Sequence, residues 1–419
     1  MSAITTTTLS CGLPVIIEEN SSVKSVSLRW LLPAGRAHEP DALEGLSAMW
    51  EEVLLRGAGT LSSREQADAF DQLGASRSCD ASAFFLTLGV TALGDRLLDT
   101  LPMLVDVVRA PRIEQDAVDA ARDLALQAIE SLKDEPQQRV GLAARARHRP
   151  GVLARSGYGT PETLKAITRD DLLEHWHRLA RPVGSVLSIA GAVEPKRTIE
   201  ALESLLADWQ GITPEPIYGT MGQRGYGHET DDSNQVQIVL VHDAPAESDE
   251  PACVYERVIH EVLGGGMSAR LFTEVREKRG LCYAVSTQYA PSRRFGGSTA
   301  YVGTTPERAQ QSLDVLHEQM LAINGKGSSD GGRSIEPDEF ERAITGLRSK
   351  IVMGGESMAA RAAQLANDFY LVGRPRSLDE HDQRLAGLEL DEVNAYLRDR
   401  TPGRMTIQTL GPEPLTSPA

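Results

Sequence analysis

Cysteine is scarce and carries no paired spacing: the four thiols, Cys11, Cys79, Cys253 and Cys282, form no CxxC. That excludes a cysteine zinc ribbon and supplies no disulfide framework, so reduced thiols in a cytoplasmic protein are expected. Long apolar runs are missing too, and no stretch approaches the roughly 18 residues needed to cross a bilayer. The opening MSAITTTTLSCGLPV has neither a basic n-region nor an apolar h-region, so no secretory signal is read there. Positive charge is in deficit, with 43 Lys and Arg against 59 Asp and Glu and a net charge of −16. Nucleic acid and anionic membrane surfaces are poor partners for such a chain, because a phosphate-binding face needs clustered cations. A basic or extended peptide suits it better.

What is present is a soluble globular composition, 41% hydrophobic and 24% charged over 419 residues, long enough for two or three domains. Alternating residues predict a hairpin from Thr7 through Val15-Ile16-Ile17 to Val26-Ser27-Leu28-Arg29-Trp30-Leu31. Helical patterns follow at Leu43 to Leu55, Ser63 to Leu73, Asp95 to Val108 and Glu114 to Lys133, with a strand from Phe84 to Val90 and Pro136 beyond the last helix. The second half repeats the plan. The run from Gln235 to Leu240 answers the strand near Val26, and Val254 to Leu263 answers the helix near Leu43. Thr91 lines up with Thr304 at an offset of 213, and Ile113 with Ile335 at 222. Matching order with slowly drifting offset implies two copies of one α+β unit of roughly 200 residues. The halves are read as 1–212 and 234–419, joined by a Pro- and Gly-rich linker at 213–233.

Nine histidines invite a search for metal, and the search fails. His260-Glu261 and His317-Glu318 each begin an HExxH, but Gly264 and Leu321 stand where the second imidazole must fall. His175 and His177, two residues apart, lie about 200° apart around a helix. Gly264-Gly265-Gly266-Met267-Ser268-Ala269 formally fits a dinucleotide fingerprint, yet it follows a helical pattern instead of a strand. It reads better as a sharp turn that offers backbone N–H groups to an extended ligand, which makes Gly264, Gly265 and Gly266 candidate substrate-binding residues.

The next stretch, Ser268 to Arg279, has a helical pattern with Ser268 as its expected N-cap; Gly280 supplies a left-handed stop, and Leu281 to Ser286 turns into a strand. Arg276 and Tyr283 are thereby close across the glycine. A guanidinium and a phenol so placed can both donate hydrogen bonds to one carbonyl oxygen; the bland alternative is a surface Arg beside a packed Tyr.

With LGGGMSARLFTEVREKRGLCYAVS, residues 263–286, the chain resembles the M16 metallopeptidases, the pitrilysin, insulinase and mitochondrial processing peptidase group with its small bacterial relatives. The resemblance extends from LSCGLPVIIEE to the final RMTIQTLG and implies two homologous α+β domains, each a mainly antiparallel sheet packed with helices, as in the LuxS-like metallohydrolase fold. It also implies that Arg276 and Tyr283, seven residues apart as in the family, belong to a catalytic site and hold the substrate carbonyl.

Active members carry an inverted zinc motif, HxxEH, and a third Glu ligand 76 residues beyond its second His. Here the aligned helix reads GLSAMWEEVLLRG: Ala48 and Glu52 replace the two histidines, Glu51 keeps the place of the general base, and the third position falls on Ala128. Catalytic zinc takes three protein ligands and a water, so none of these positions is expected to hold metal in this chain. A chain that has lost the metal half and kept the Arg/Tyr half matches the divided-labour members of the family. The expectation is therefore a heterodimer whose partner, an M16 chain with intact HxxEH, brings zinc to a peptide substrate. An inert structural subunit, or a peptide-binding homodimer, is the alternative class.

Overall fold

The computed structural model describes residues 3–323, 334–401 and 403–418; Met1, Ser2 and Ala419, the outermost residues of the two halves read above, lie outside them. The chain divides into two compact units. The first contains β1 (Ile4–Thr8), β2 (Pro14–Glu19), β3 (Ser25–Leu32), a small hairpin of β4 (Gly57–Ala58) and β5 (Leu61–Ser62), β6 (Ser76–Ala81), β7 (Leu86–Leu93) and β8 (Val186–Gly191). Its main sheet has the order β1-β2-β8-β3-β7-β6, with only β2 and β8 parallel. The second unit contains β9 (Gly225–Thr230), β10 (Val236–Ala244), β11 (Cys282–Pro291), β12 (Gly296–Thr304) and β13 (Thr406–Gly411), ordered β11-β12-β10-β13-β9, with only β9 and β13 parallel. Without β1 the first order is the second, strand for strand. The α+β class and the duplication read from the sequence both hold.

Central strands buried on both faces explain the layering. Val26, Leu28, Trp30 and Leu32 of β3 join one core with Leu46, Met49, Trp50 and Trp176 from the flanking helices. Leu31 points the other way and, with Ile16, Phe85, Val186 and Ala190, meets Ala362, Leu365 and Ala366 of the helix Met358–Val372. In the second unit, Ile238 and Leu240 pack with Val258, Ile259 and Leu263. Val239 and Val241 instead meet Val140 and Ala144 of the helix Pro136–His148. Alternation along a strand sends successive side chains to opposite faces, so each sheet needs a second cover.

Those covering helices are exchanged between the two halves of the sequence. The unit built on the first sheet includes 354–376, and the unit built on the second includes 132–150. Their first helical residues, Pro136 and Met358, are 222 apart, the offset already found between Ile113 and Ile335. Pro136, expected to lie past a helix end, is the first residue of its own helix, where a proline's missing N–H costs nothing.

The helix Met358–Val372 is also pinned by charge. Arg361, 1% exposed, donates from Nε to Glu18 on β2 at 2.6 Å, and Ser188 on β8 donates to the Ala362 carbonyl at 2.6 Å. Arg361→Ala removes the Arg361 guanidinium from the buried Glu18 carboxylate, so a loss of about 3–5 kcal/mol in unfolding free energy is expected by urea titration. A change below about 1 kcal/mol would show that solvent reaches Glu18.

Candidate functional site

In the first unit the helix Leu46–Val53 starts at Gly45, whose φ of +105° suits glycine. Buried Glu39 anchors this start, accepting from Gly45 N–H at 3.0 Å, Ser47 N–H at 2.7 Å and Ser47 Oγ at 2.5 Å. Ala48, Glu51 and Glu52 lie on this helix and Ala128 on the helix Gln115–Ser131. All four line one cavity of about 350 Å³, together with Arg36, Ser82 and Tyr158. The three positions counted out along the sequence are thus brought together in space.

The donor set there does not fit zinc. Ala48 and Ala128 offer methyl groups, and both carboxylates are engaged. Glu51 accepts the Ala81 N–H at 3.3 Å, and Glu52 pairs with Arg56 at 3.1 Å. Burial pushes the Glu51 carboxyl above its usual range, helped by the charges of Asp80 and Glu52.

In the second unit the helix Ala252–Gly264 runs directly into the glycine turn. Gly265 spends its N–H on the Glu261 carbonyl at 2.8 Å, and a Cβ on Gly264 would press against Thr287. Of the three glycines, Gly266 alone has room for a side chain and no backbone hydrogen bond to its N–H among the described residues. The backbone-donor reading narrows to it, while Gly264 and Gly265 serve close packing. Gly265 and Gly266 line a cavity of about 550 Å³ with Glu261, Ser268, Glu339 and Arg342.

Ser268 is not an N-cap, contrary to the sequence reading. The chain turns through it and widens into a π-helix at Phe272–Glu277, which has no side-chain cap. Gly280, at φ +60°, ends this element: its N–H bonds to the Arg276 carbonyl, and Leu281 N–H reaches back six residues to Val275. Arg276 stacks over Phe272 at 4.9 Å and donates from Nη1 to the backbone carbonyl of Tyr283 at 3.0 Å. The two residues are therefore adjacent, and both are exposed, Tyr283 by 50%. The Tyr283 hydroxyl donates to Gln235 Oε1 at 2.8 Å. Gln235, Gln237 and Tyr301, which surround that hydroxyl, escaped the sequence analysis. The available signal was Gln237, a polar residue inside the apolar run Val236 to Leu240.

Comparison with known proteins bears on the family and the fold. Residues 14–151 match the family described as Insulinase (Peptidase family M16), and residues 166–347 match the Peptidase M16 inactive domain. An uncharacterized zinc protease of Streptomyces coelicolor is 27% identical, over 97% of this chain and 89% of its own. A peptidase M16 inactive domain from Pseudomonas fluorescens superposes with a TM-score of 0.88 at 20% identity, covering 99% of this chain and all of its own. A chain of complex III2 from Candida albicans reaches 0.80 at 17% identity, covering 98% of this chain and 96% of its own.

Proposed function

The chain belongs to the M16 peptidase family, and from that premise we propose that it is the subunit of a two-chain M16 peptidase that does not bind zinc. The observation that carries this reading is the asymmetry of its halves: methyl groups occupy two of three ligand positions, while Arg276 and Tyr283 stand side by side. A partner M16 chain with intact HxxEH brings the zinc, and this chain holds no cofactor. Here Arg276 and Tyr283 donate to the carbonyl oxygen of the peptide bond under attack, and the turn at Gly264–Gly266 borders the extended substrate. Short or unfolded peptides are the substrate class, a reading supported by relatives named zinc proteases.

The test is co-purification with a candidate HxxEH chain, followed by peptidase assay of each chain and of the mixture. Chelator-sensitive cleavage is expected in the mixture only, with no stoichiometric zinc on this chain by elemental analysis. A partner as active alone as in the mixture overturns the division of labour. The inert-subunit alternative draws support from the Tyr283 hydroxyl, which is already committed to Gln235, and from the fold shared with the complex III2 chain.

A further inference from the structure

Tyr283 sits at a β-bulge: Cys282 pairs with Thr304 and Ala284 with Gly303, leaving Tyr283 as the extra residue. Bulges re-aim a side chain, and this one sends the phenol across β12. A Cβ on Gly303 would lie 2.6 Å from the Tyr301 hydroxyl and 2.7 Å from that of Tyr283. Glycine at 303 is what leaves room for the two phenols there.

The hydroxyl ends in a short polar chain. Tyr301 donates to Gln237 Oε1 at 2.6 Å, Gln237 Nε2 donates to Gln235 Oε1 at 3.2 Å, and Tyr283 donates to that same oxygen at 2.8 Å. Gln237 is 1% exposed and Tyr301 7%, so one end of the chain is fixed in the core, whereas Gln235 is exposed. Neighbouring hydrogen bonds polarise one another, which holds the Gln235 carboxamide in this orientation.

Gln235 Oε1 is an amide oxygen, chemically the acceptor that a peptide carbonyl presents. We propose that the Gln235 carboxamide holds the place of the substrate carbonyl at the Tyr283 hydroxyl, with Gln237 and Tyr301 as the positioning residues that keep it there until a peptide displaces it. The inference rests on the reading of Tyr283 as a carbonyl donor. Displacement exchanges one amide acceptor for another, and the released carboxamide, lying at the surface, regains water. Gln235 is then an internal competitor, and its removal favours the peptide by the worth of one neutral hydrogen bond, roughly two- to tenfold.

The experiment measures binding of a fluorescein-labelled unfolded peptide to the full chain by anisotropy. Gln235→Ala is expected to lower Kd roughly two- to tenfold, and Tyr301→Phe, which frees Gln237, to lower it by less. In a Tyr283→Phe background Gln235→Ala should change nothing, a non-additivity that a merely structural role would not produce. Unchanged or weaker binding by Gln235→Ala, with Tyr283→Phe still impaired, overturns the placeholder and spares the donor reading. Equal tightening with and without the Tyr283 hydroxyl overturns it as well. Unaltered binding by Tyr283→Phe, or no binding by any form, removes the donor reading itself.

Discussion

In the proposed two-chain peptidase, Tyr283→Phe should slow single-turnover cleavage by roughly 100- to 1000-fold, with the complex intact by size-exclusion. If the hydroxyl donates to the carbonyl that becomes an oxyanion, its bond strengthens as charge develops, so the loss falls on the chemical step. One such donor is worth roughly 2.7 to 4 kcal/mol in a protease oxyanion hole. The substitution keeps the ring, which packs at the bulge, and deletes only the group that meets Gln235. Arg276→Lys keeps a charge but loses the planar fork that spans Phe272 and the Tyr283 carbonyl, so partial activity is expected. Full turnover in a complex carrying Tyr283→Phe and Arg276→Ala together would make the pair structural and favour the inert-subunit account.

The second large effect is on stability in acid. His242 on β10 and His260 on the helix Ala252–Gly264 are 1% and 7% exposed, and burial lowers both to about 3, with the Arg400 cation adding to the shift. Glu256, which accepts from Arg400 Nε at 2.5 Å and Nη2 at 2.8 Å and from Tyr396, lies 3.7 Å from His260, while Asp243 accepts at its backbone from His242. Because the folded values lie below the unfolded value near 6.5, the unfolded chain binds more protons between them. The two neutral rings therefore stabilise the fold fully above pH 6.5, and this contribution is lost as pH falls from about 6.5 toward 3. Two protons taken up on unfolding give a slope of up to about 2.7 kcal/mol per pH unit in the middle of that window. Urea midpoints between pH 4 and 7 read it directly. His242→Gln with His260→Gln should flatten the dependence, and an unchanged slope in that variant would assign it to other groups.

Different parts of the molecule were legible to different degrees. The apolar strands β3 and β10 and the helices packed on them stand out by periodicity, because their burial pattern is written along the chain. The edge strand β6, Ser76-Arg77-Ser78-Cys79-Asp80-Ala81, was not read at all: only Cys79 is buried, so no alternation of hydrophobicity marks it. The exchanged helix Pro136–His148 was missed for a related reason, since five charged or ring-bearing side chains (Arg139, Arg145, Arg147, His148 and the flanking Arg149) obscure an apolar face made only of Val140 and Ala144. The Ser268 cap failed because the helix begins only at Arg270, two residues further on, before widening at Phe272–Glu277.

The sequence by itself determined the features that depend on counting along the backbone: two copies of one α+β unit, and Arg276 seven residues before Tyr283 with Gly280 between them, whereas Ala48 and Ala128 were singled out by the resemblance to the M16 family. Those spacings are short or repeated, so local geometry carries them into the fold. Only the tertiary structure decided which helix covers the second face of each sheet, that Ala48, Glu52 and Ala128 line one cavity, and that the Tyr283 hydroxyl meets Gln235. Each of these joins residues far apart in sequence, and the choice among possible partners is made by burial of a whole sheet face and by satisfaction of buried polar groups, quantities that no local stretch of the chain contains.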